Sequence, residues 1–159
     1  MEIIRYSIIG ALPMVALFVC KRYGAFIDSS IERAEVFLSF LRHAERRISG
    51  YLIPPSELCN GFLHPALRDM MEKLSSGMSL IDAYQEAGGS VPQWANEILT
   101  ELFLDFGKGD ALLEARRIGD AAVRLEGMLS KERENGERQK KVCSAVAPAL
   151  AIGVVILLI

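Results

Sequence analysis

Two apolar segments without a charged residue limit the fold of this chain more than any other feature of its sequence. They cover residues 6–20 and 142–159. At ~1.5 Å of rise per residue, a helix over the second segment spans roughly 27 Å, close to the ~30 Å hydrocarbon thickness of a bilayer. We therefore predict an N-terminal transmembrane helix over residues 1–22 and a C-terminal transmembrane helix over residues 142–159.

Basic residues flank both apolar segments. Lys21 and Arg22 follow the first segment, and Lys140 and Lys141 directly precede the second. Because basic flanks remain in the cytoplasm during insertion, residues 23–141 are expected to be cytoplasmic. A cleaved signal peptide is the alternative for the first segment, although no small-x-small cleavage site follows it. A hydrophobic helix packed in a soluble core is the alternative for the second.

The charge of the chain differs between its middle and its ends. Residues 28–130 contain 16 Asp and Glu and 10 Lys and Arg, a net charge of -6, whereas the whole chain has a net charge of -2. An acidic body with basic edges suits a protein that stands on an anionic lipid surface. It argues against nucleic-acid binding, which needs a basic face on the folded domain. The residues between the basic flanks suffice for one hydrophobic core, so we predict one domain there.

The three cysteines, Cys20, Cys59 and Cys143, are too few and too widely spaced to predict a disulfide framework or a metal motif. We expect free thiols in a reducing compartment. Cys20 and Cys143 both fall at predicted membrane boundaries. The alternatives for these two residues are palmitoylation and pairing with each other.

Apolar residues recur at steps of three and four through residues 23–130, which predicts an all-α helical bundle. The first long helix of this bundle is expected to begin near Asp28 and to end before Pro54 and Pro55. Its apolar face is wide enough to lie at the centre of the bundle. Glu45 interrupts this face, so its carboxylate needs a partner or contact with water.

The last helix of the bundle is expected to begin at Ala111, after a glycine turn over residues 106–110 in which Asp110 is the N-cap. Its predicted buried face comprises Leu112, Ala115, Ile118, Ala122, Leu125 and Leu129. Beyond Ser130 this apolar face ends, and eight of the eleven residues 131–141 are charged. This pattern predicts a solvated helical stalk between the bundle and the second membrane helix.

No constellation of residues predicts catalysis, cofactor binding or metal binding. His43 and His64 are the only histidines, and neither has cysteine or carboxylate neighbours at ligand spacing. We expect each of them to be solvated or to cap a helix. The pair Gly107-Lys108 lacks the upstream glycine and the Ser or Thr of a phosphate-binding loop. We therefore predict a protein that is not an enzyme.

Three carboxylates, Glu97, Glu101 and Asp105, follow one another at four-residue steps and so share one face of a predicted helix. We refer to these residues as the acidic strip. A solvated face is the simple interpretation of this strip. Its functional interpretation is a docking surface for a basic partner, because complementary charge raises the rate of association.

Three stretches of the chain resemble those of a known family. Residues 48–58 read Ile-Ser-Gly-Tyr-Leu-Ile-Pro-Pro-Ser-Glu-Leu and resemble its pattern EI.Y...P...AL. Residues 106–110 resemble its LG.SD turn, and residues 153–159 resemble its closing G....ILLI run. With two terminal membrane helices around a helical body, the chain resembles the stage III sporulation protein AB family of endospore-forming bacteria over nearly its whole length. It departs from the family pattern at Arg47, Ala115, Ala147 and Pro148.

The resemblance implies a non-enzymatic subunit of the secretion-like channel, or feeding tube, that links the mother cell to the forespore during endospore formation. The cytoplasmic body is then similar to the helical domains of type II secretion and type IV pilus platform proteins. The implied partners are a cytoplasmic secretion-type ATPase and other membrane subunits of the channel in the outer forespore membrane of the mother cell. A homo-oligomer is compatible with this role. The candidate partner-binding residues are Glu97, Glu101, Asp105, Glu45, Tyr51, Pro54, Gly107 and Asp110.

The alternative function is that of a membrane-tethered helical adaptor or regulator outside any secretion machine. Such a protein would use the wide apolar arc around Phe37 and Phe40 to hold a helix of its partner. No cofactor is expected under either interpretation.

Overall fold

The computed structural model of the chain describes residues 2–48, 57, 62, 64–87 and 91–158, with side chains described for residues 14–48, 57, 62, 64–87, 91–149, 153 and 156. All regular structure in these residues is helical, which confirms the predicted all-α class for the described chain. The helices are α1 (Glu2–Ile48), α2 (Arg68–Ser75), which follows a 3-10 turn at Pro65–Leu67, α3 (Leu80–Ala87), α4 (Gln93–Asp105) and α5 (Ala111–Leu158).

The chain divides into two units, and both include part of α1 and part of α5. The terminal unit consists of Met1–Ser29 and Glu132–Ile159, and the central unit consists of Ser30–Lys131. The terminal unit contains 7 Lys and Arg and 5 Asp and Glu, whereas the central unit contains 11 Lys and Arg and 15 Asp and Glu. The terminal unit is therefore basic, and the central unit is acidic.

Helix α1 has no break near Asp28, where its first residue was expected. The hydroxyl of Ser29 donates to the carbonyl oxygen of Phe26 at 3.0 Å, inside the helix, and does not cap a new N-terminus. A serine can take this position because its hydroxyl can return to a carbonyl in the preceding turn. The expected start of the helix is therefore wrong, whereas the expected end at Pro54 and Pro55 lies outside the described residues.

The core of the central unit is formed by apolar side chains from every helix that this unit contains. Its largest fully buried side chains are Phe40, Leu41, Leu67, Met70, Leu74, Leu99, Ile118 and Leu125. The predicted wide apolar face of α1 is confirmed, since Phe37, Phe40 and Leu41 are all buried. Burial of a large apolar side chain contributes about 1.5–3 kcal/mol, so these contacts hold the helices together as a bundle.

Tyr84 joins three helices of the central unit. Its ring packs edge-on against Phe37 of α1, with centroids 5.5 Å apart, and against Phe103 of α4, with centroids 5.1 Å apart. Its hydroxyl donates to Oδ1 of Asn96 at 2.7 Å. Burial raises the pKa of Tyr84 to about 12, so the phenol remains neutral at physiological pH and keeps its donor. These contacts fix α3 between α1 and α4.

The predicted helix cap at Asp110 is confirmed, and Ser79 caps α3 in the same way. The hydroxyl of Ser79 accepts the backbone N–H three residues later at 3.2 Å, and Oδ1 of Asp110 accepts the backbone N–H three residues later at 2.7 Å. His64 also acts as a cap, because its Nδ1 accepts the backbone N–H two residues later at 3.2 Å. Each of these bonds satisfies a donor that the first turn of a helix leaves without a partner.

The buried face of α5 agrees with the predicted face at five of its six positions. The buried members are Ala115, Ile118, Ala122, Leu125 and Leu129. Leu112 is instead 69% exposed, and the nearby Glu114 is 3% exposed. The carboxylate of Glu114 accepts the backbone N–H of Gly109 at 3.0 Å, which closes the turn before α5. A hydrogen-bonded carboxylate therefore takes the inward position at this end of the helix.

In the terminal unit, α1 and α5 run antiparallel. Cys20 is joined to Cys143 by a disulfide, and one turn further along α1 the hydroxyl of Tyr23 donates to Oε1 of Gln139 at 3.1 Å. From the first of these contacts to the second, the residue number rises in α1 and falls in α5, as antiparallel packing requires. The expectation of free thiols is wrong for this pair, because the antiparallel packing brings the two cysteines together. Cys59 lies outside the described residues.

Helices α1 and α5 run through the two segments that the sequence predicts to cross a membrane. Among the described residues, no helix combines the length and the hydropathy that crossing a bilayer requires. Side chains 1–13 and most of those from 150 to 159 lie outside the described part of the chain. The two transmembrane helices therefore remain a prediction.

Truncation of Leu125 should destabilise the central unit far more than truncation of Leu112, although the sequence pattern places both on one face. Leu125 is fully buried, so Leu125→Ala should lower the free energy of unfolding by about 2–5 kcal/mol. Leu112→Ala should change it by less than about 0.5 kcal/mol, because its side chain is exposed. Urea denaturation of the full-length protein in detergent measures both values, and equal losses would contradict the packing described above.

Candidate docking surface

The acidic strip lies on an exposed face of α4. The side chains of Glu97, Glu101 and Asp105 are all exposed. Glu97, the first of the three, accepts a hydrogen bond from Nε2 of Gln93 at 3.2 Å. The helix therefore presents three carboxylates to solvent.

Two of these carboxylates are paired with cations of the same chain. Glu101 accepts from Nη1 of Arg124 at 3.0 Å, and Asp105 accepts from Nζ of Lys108 at 2.7 Å. The Lys108 ammonium lowers the pKa of Asp105 below its ordinary value. Sequence spacing could have suggested the Lys108 pair, which is local, but not the Arg124 pair, which joins two helices. The strip is therefore only partly a free negative surface.

A groove of about 210 Å³ between α4 and α5 adjoins the acidic strip. It is lined by Ile98, Glu101, Leu102, Asp105, Arg117, Asp120, Ala121 and Arg124. Arg117 donates to the carbonyl oxygen of Asp105 at 3.4 Å, at the end of α4. Exposed ion pairs contribute only about 0–1 kcal/mol. A basic side chain of a partner could therefore replace Arg124 beside Glu101 at little cost.

Local structure accounts for the positions of Gly107 and Asp110. Gly107 has a φ of 84°, a left-handed conformation that glycine adopts without the steric cost of a side chain. Asp110 caps α5 through the hydrogen bond described above. Both residues shape the turn between α4 and α5, next to the acidic strip. Their predicted role in partner binding remains a prediction.

Glu45 has the partner that its position on an apolar face required. Its carboxylate accepts from Nη1 of Arg42 at 3.2 Å, and Nη2 of Arg42 donates to Glu126 of α5 at 2.9 Å. These two carboxylates, with Glu126 first, raise the pKa of Arg42. Gly119 of α5 leaves room for the Glu45 carboxylate, since a Cβ built on Gly119 would lie 2.7 Å from Oε1. Arg42 therefore links Glu45 to Glu126 of α5.

The apolar arc that the adaptor hypothesis requires is not available at the surface. Phe37 is 3% exposed and Phe40 is 1% exposed, because both pack into the core of the central unit. A partner helix could reach them only by displacing the chain's own helices. The candidate residues Tyr51 and Pro54 lie outside the described residues.

His43 differs from the expectation of a solvated side chain. Its ring lies 5.6 Å from that of Phe62, and its Nε2 is buried without a hydrogen-bond partner among the described residues. His43 therefore packs beside the core. Within the same described part of the chain, no group of three or more His, Cys, Asp and Glu side chains could hold a metal ion.

A second exposed surface lies on the terminal unit. We define the apolar band as its large exposed side chains, Met14, Val15, Leu17, Phe18, Val19, Tyr23, Phe26, Val142, Val146 and Ile156. Phe18 and Phe26 are 63% and 66% exposed. So many large exposed apolar side chains are unusual on a monomeric soluble protein and are typical of contact with a membrane or another protein.

Comparison with known proteins supplies no function for this chain. No protein-family model, no curated protein and no solved structure matches it. The acidic strip and the apolar band are therefore the two surfaces from which a function can be inferred.

Alanine at Gly119 should be less favourable than alanine at Gly127, which lies on the same helix. Replacing an exposed helical glycine by alanine stabilises a protein by about 0.5–1 kcal/mol, and nothing lies within 4 Å of a Cβ at Gly127. At Gly119 the new methyl group should displace the Glu45 carboxylate and cancel most of this gain. Chemical denaturation measures both changes. In a Glu45→Ala background the two substitutions should become equal, and a persistent difference would contradict this account.

Proposed function

We propose that the chain is a membrane-anchored helical scaffold that docks a cytoplasmic secretion-type ATPase through the acidic strip. In its most specific form, it is a subunit of the secretion-like channel between mother cell and forespore that endospore formation requires. The observation that carries the proposal is the apolar band on the terminal unit, because it requires a hydrophobic environment.

The distribution of charge supports a membrane surface as that environment. Lys21, Arg22, Lys140 and Lys141 lie where the apolar parts of α1 and α5 meet the rest of the chain. Each basic residue close to an anionic membrane contributes about 1 kcal/mol of attraction. Helices α1 and α5 extend to Glu2 and Leu158, which the two proposed transmembrane helices include.

The central unit supports the docking part of the proposal. Its acidic excess can steer a basic surface of an ATPase towards it, and the exposed carboxylates on α4 give this surface a defined place. The pairs of Glu101 with Arg124 and of Asp105 with Lys108 are exposed. A basic side chain of a partner can therefore replace the cation in either pair at little cost in free energy.

Burial of Phe37 and Phe40 favours this scaffold over the adaptor, which loses its proposed helix-binding surface. The resemblance to stage III sporulation protein AB gives the scaffold its proposed setting. In that setting the partners are the ATPase and other membrane subunits of the channel. The proposed location is the outer forespore membrane of the mother cell.

Charges placed in the apolar band should release the protein from membranes. The double variant Leu17→Asp/Val146→Asp should lower the fraction that floats with phosphatidylcholine and phosphatidylglycerol vesicles at least tenfold, since an aspartate in hydrocarbon costs up to ~3 kcal/mol. The matched control is Leu104→Asp/Leu112→Asp, which changes exposed leucines of the central unit and should leave flotation unchanged. Equal flotation of all three proteins, or no flotation of the original chain, would contradict membrane anchoring.

Charge reversal of the acidic strip should weaken ATPase binding in a salt-dependent way. The full-length triple variant Glu97→Lys/Glu101→Lys/Asp105→Lys is reconstituted in vesicles. At low salt it should bind the secretion-type ATPase of the same organism at least tenfold more weakly than the original chain does. The loss should shrink as salt rises, because screening weakens contacts between exposed charges. The control reverses Asp69, Glu72 and Glu86, which line another exposed depression of the central unit. If both variants bind alike, or the original chain does not bind, the docking proposal is wrong.

A further inference from the structure

We propose that Cys20 and Cys143 form a thiol–disulfide exchange site, whose substrates are small disulfides such as oxidised glutathione. The Cα atoms of the two residues lie 6.0 Å apart, within the range of about 5.5–6 Å at which disulfides most often form. The residues are 123 positions apart in the chain, and only the antiparallel packing of α1 and α5 brings them together. This inference concerns the terminal unit and does not rest on the proposed ATPase partner.

Contacts on one side of the pair hold the two helices in register without the disulfide. The hydroxyl of Tyr23 donates to Gln139, and Lys140 forms an ion pair with Asp28, which raises the pKa of Lys140. When the pair is reduced, the thiol of Cys20 can donate a hydrogen bond to the carbonyl oxygen of Cys143, which lies 3.5 Å from its sulfur. The helices can therefore stay together while the covalent bond opens, which makes exchange a local event.

The site is open to a small reagent. Cys20 and Cys143 are both only half-buried. Cys143 also lines a shallow apolar depression of about 480 Å³ with Tyr23, Val142 and Val146. Exchange requires a thiolate to reach the sulfur of another disulfide, so access of this kind is a condition for reversibility. A fully buried structural disulfide would not meet it.

The reaction is a two-step exchange. The thiolate of one cysteine attacks oxidised glutathione, forms a mixed disulfide and releases one glutathione thiolate. The second cysteine then attacks the mixed disulfide, closes the bond between Cys20 and Cys143 and releases a second glutathione. The protein loses two thiol protons and two electrons, and both glutathione molecules leave as thiols. In a reducing compartment the reverse reaction opens the bond, as is typical of redox-sensing cytosolic disulfides.

The consequence of closure is a covalent link between the two apolar helices of the terminal unit. The bond lies directly before Lys21 in α1 and one residue after Val142 in α5, at the boundary between the apolar and basic parts of each helix. The closed form cannot separate these helices at that boundary. The open form keeps the contacts of Tyr23 with Gln139 and of Asp28 with Lys140, but no covalent bond joins the helices there.

The test uses full-length protein carrying Cys59→Ser in detergent micelles, equilibrated in glutathione buffers from reducing to oxidising. After acid quenching, a maleimide polymer labels the free thiols, and gel mobility counts them. We expect protein molecules with two labels and molecules with none. The ratio of doubly labelled to unlabelled protein should be proportional to the square of the reduced glutathione concentration, and inversely proportional to the oxidised glutathione concentration. The Cys143→Ser variant should instead form a mixed disulfide between Cys20 and glutathione. Its ratio of free thiol to mixed disulfide should depend on the first power of the reduced glutathione concentration.

A matched control moves one thiol by about a turn. The variant Leu17→Cys/Cys20→Ser keeps two thiols on the same helices and should lose the second-power dependence, because its cysteine no longer faces Cys143. Two labels on the original protein in every buffer would overturn the proposal. So would dimers linked through these cysteines, or second-power behaviour in the control that equals that of the original pair.

Discussion

Burial of the apolar face of α1 is the interaction on which the rest of the central unit depends. Phe37, Phe40 and Leu41 lie on this face, and each of the other helices of the unit adds buried side chains to the same core. Tyr84 shows how specific the packing is, since its ring contacts α1 and α4 while its hydroxyl donates to Asn96, also on α4. A buried phenol without that partner would lose the hydrogen bond that offsets its removal from water. The helices therefore have few alternative ways of packing.

Charged residues surround this core as a set of exposed pairs that involve more than one helix. Arg42 links Glu45 to Glu126, and Arg124 links α5 to the acidic strip at Glu101. Because such pairs are solvated, they contribute modestly to stability and orient side chains at the surface. The same solvation lets a partner exchange with them. A surface of this kind suits the proposed docking of a partner.

The two units differ in the surfaces that they expose, and this difference supports the proposal of a membrane-anchored scaffold. The terminal unit is basic and carries the apolar band, whereas the central unit is acidic and carries the strip on α4. One unit is suited to lipid and the other to a basic protein surface. The cysteine pair adds a covalent link between the apolar helices, placed where their apolar and basic parts meet.

Most of the helical elements could be predicted from the sequence, because they depend on local signals. The spacing of Ala115, Ile118, Ala122, Leu125 and Leu129 predicted one buried face, and the cap at Asp110 followed from a side chain that can bond to the backbone three residues away. Local signals misplaced the start of α1, since Ser29 can cap a helix or lie within one. Local signals also predicted that Leu112 is buried. The structure buries Glu114 instead, because its carboxylate accepts the backbone N–H of Gly109 in the preceding turn, and the spacing of apolar residues gives no information on that contact.

The sequence by itself determined the all-α class, the wide apolar face of α1 and the separation of a basic, apolar end region from an acidic middle. These properties depend on the order and chemistry of residues that are neighbours along the chain. Only the tertiary structure decided that Arg124 lies beside Glu101, that Gly119 makes room for Glu45 and that Cys20 meets Cys143. Each of these contacts joins residues on different helices, and their distance is set by how the helices pack.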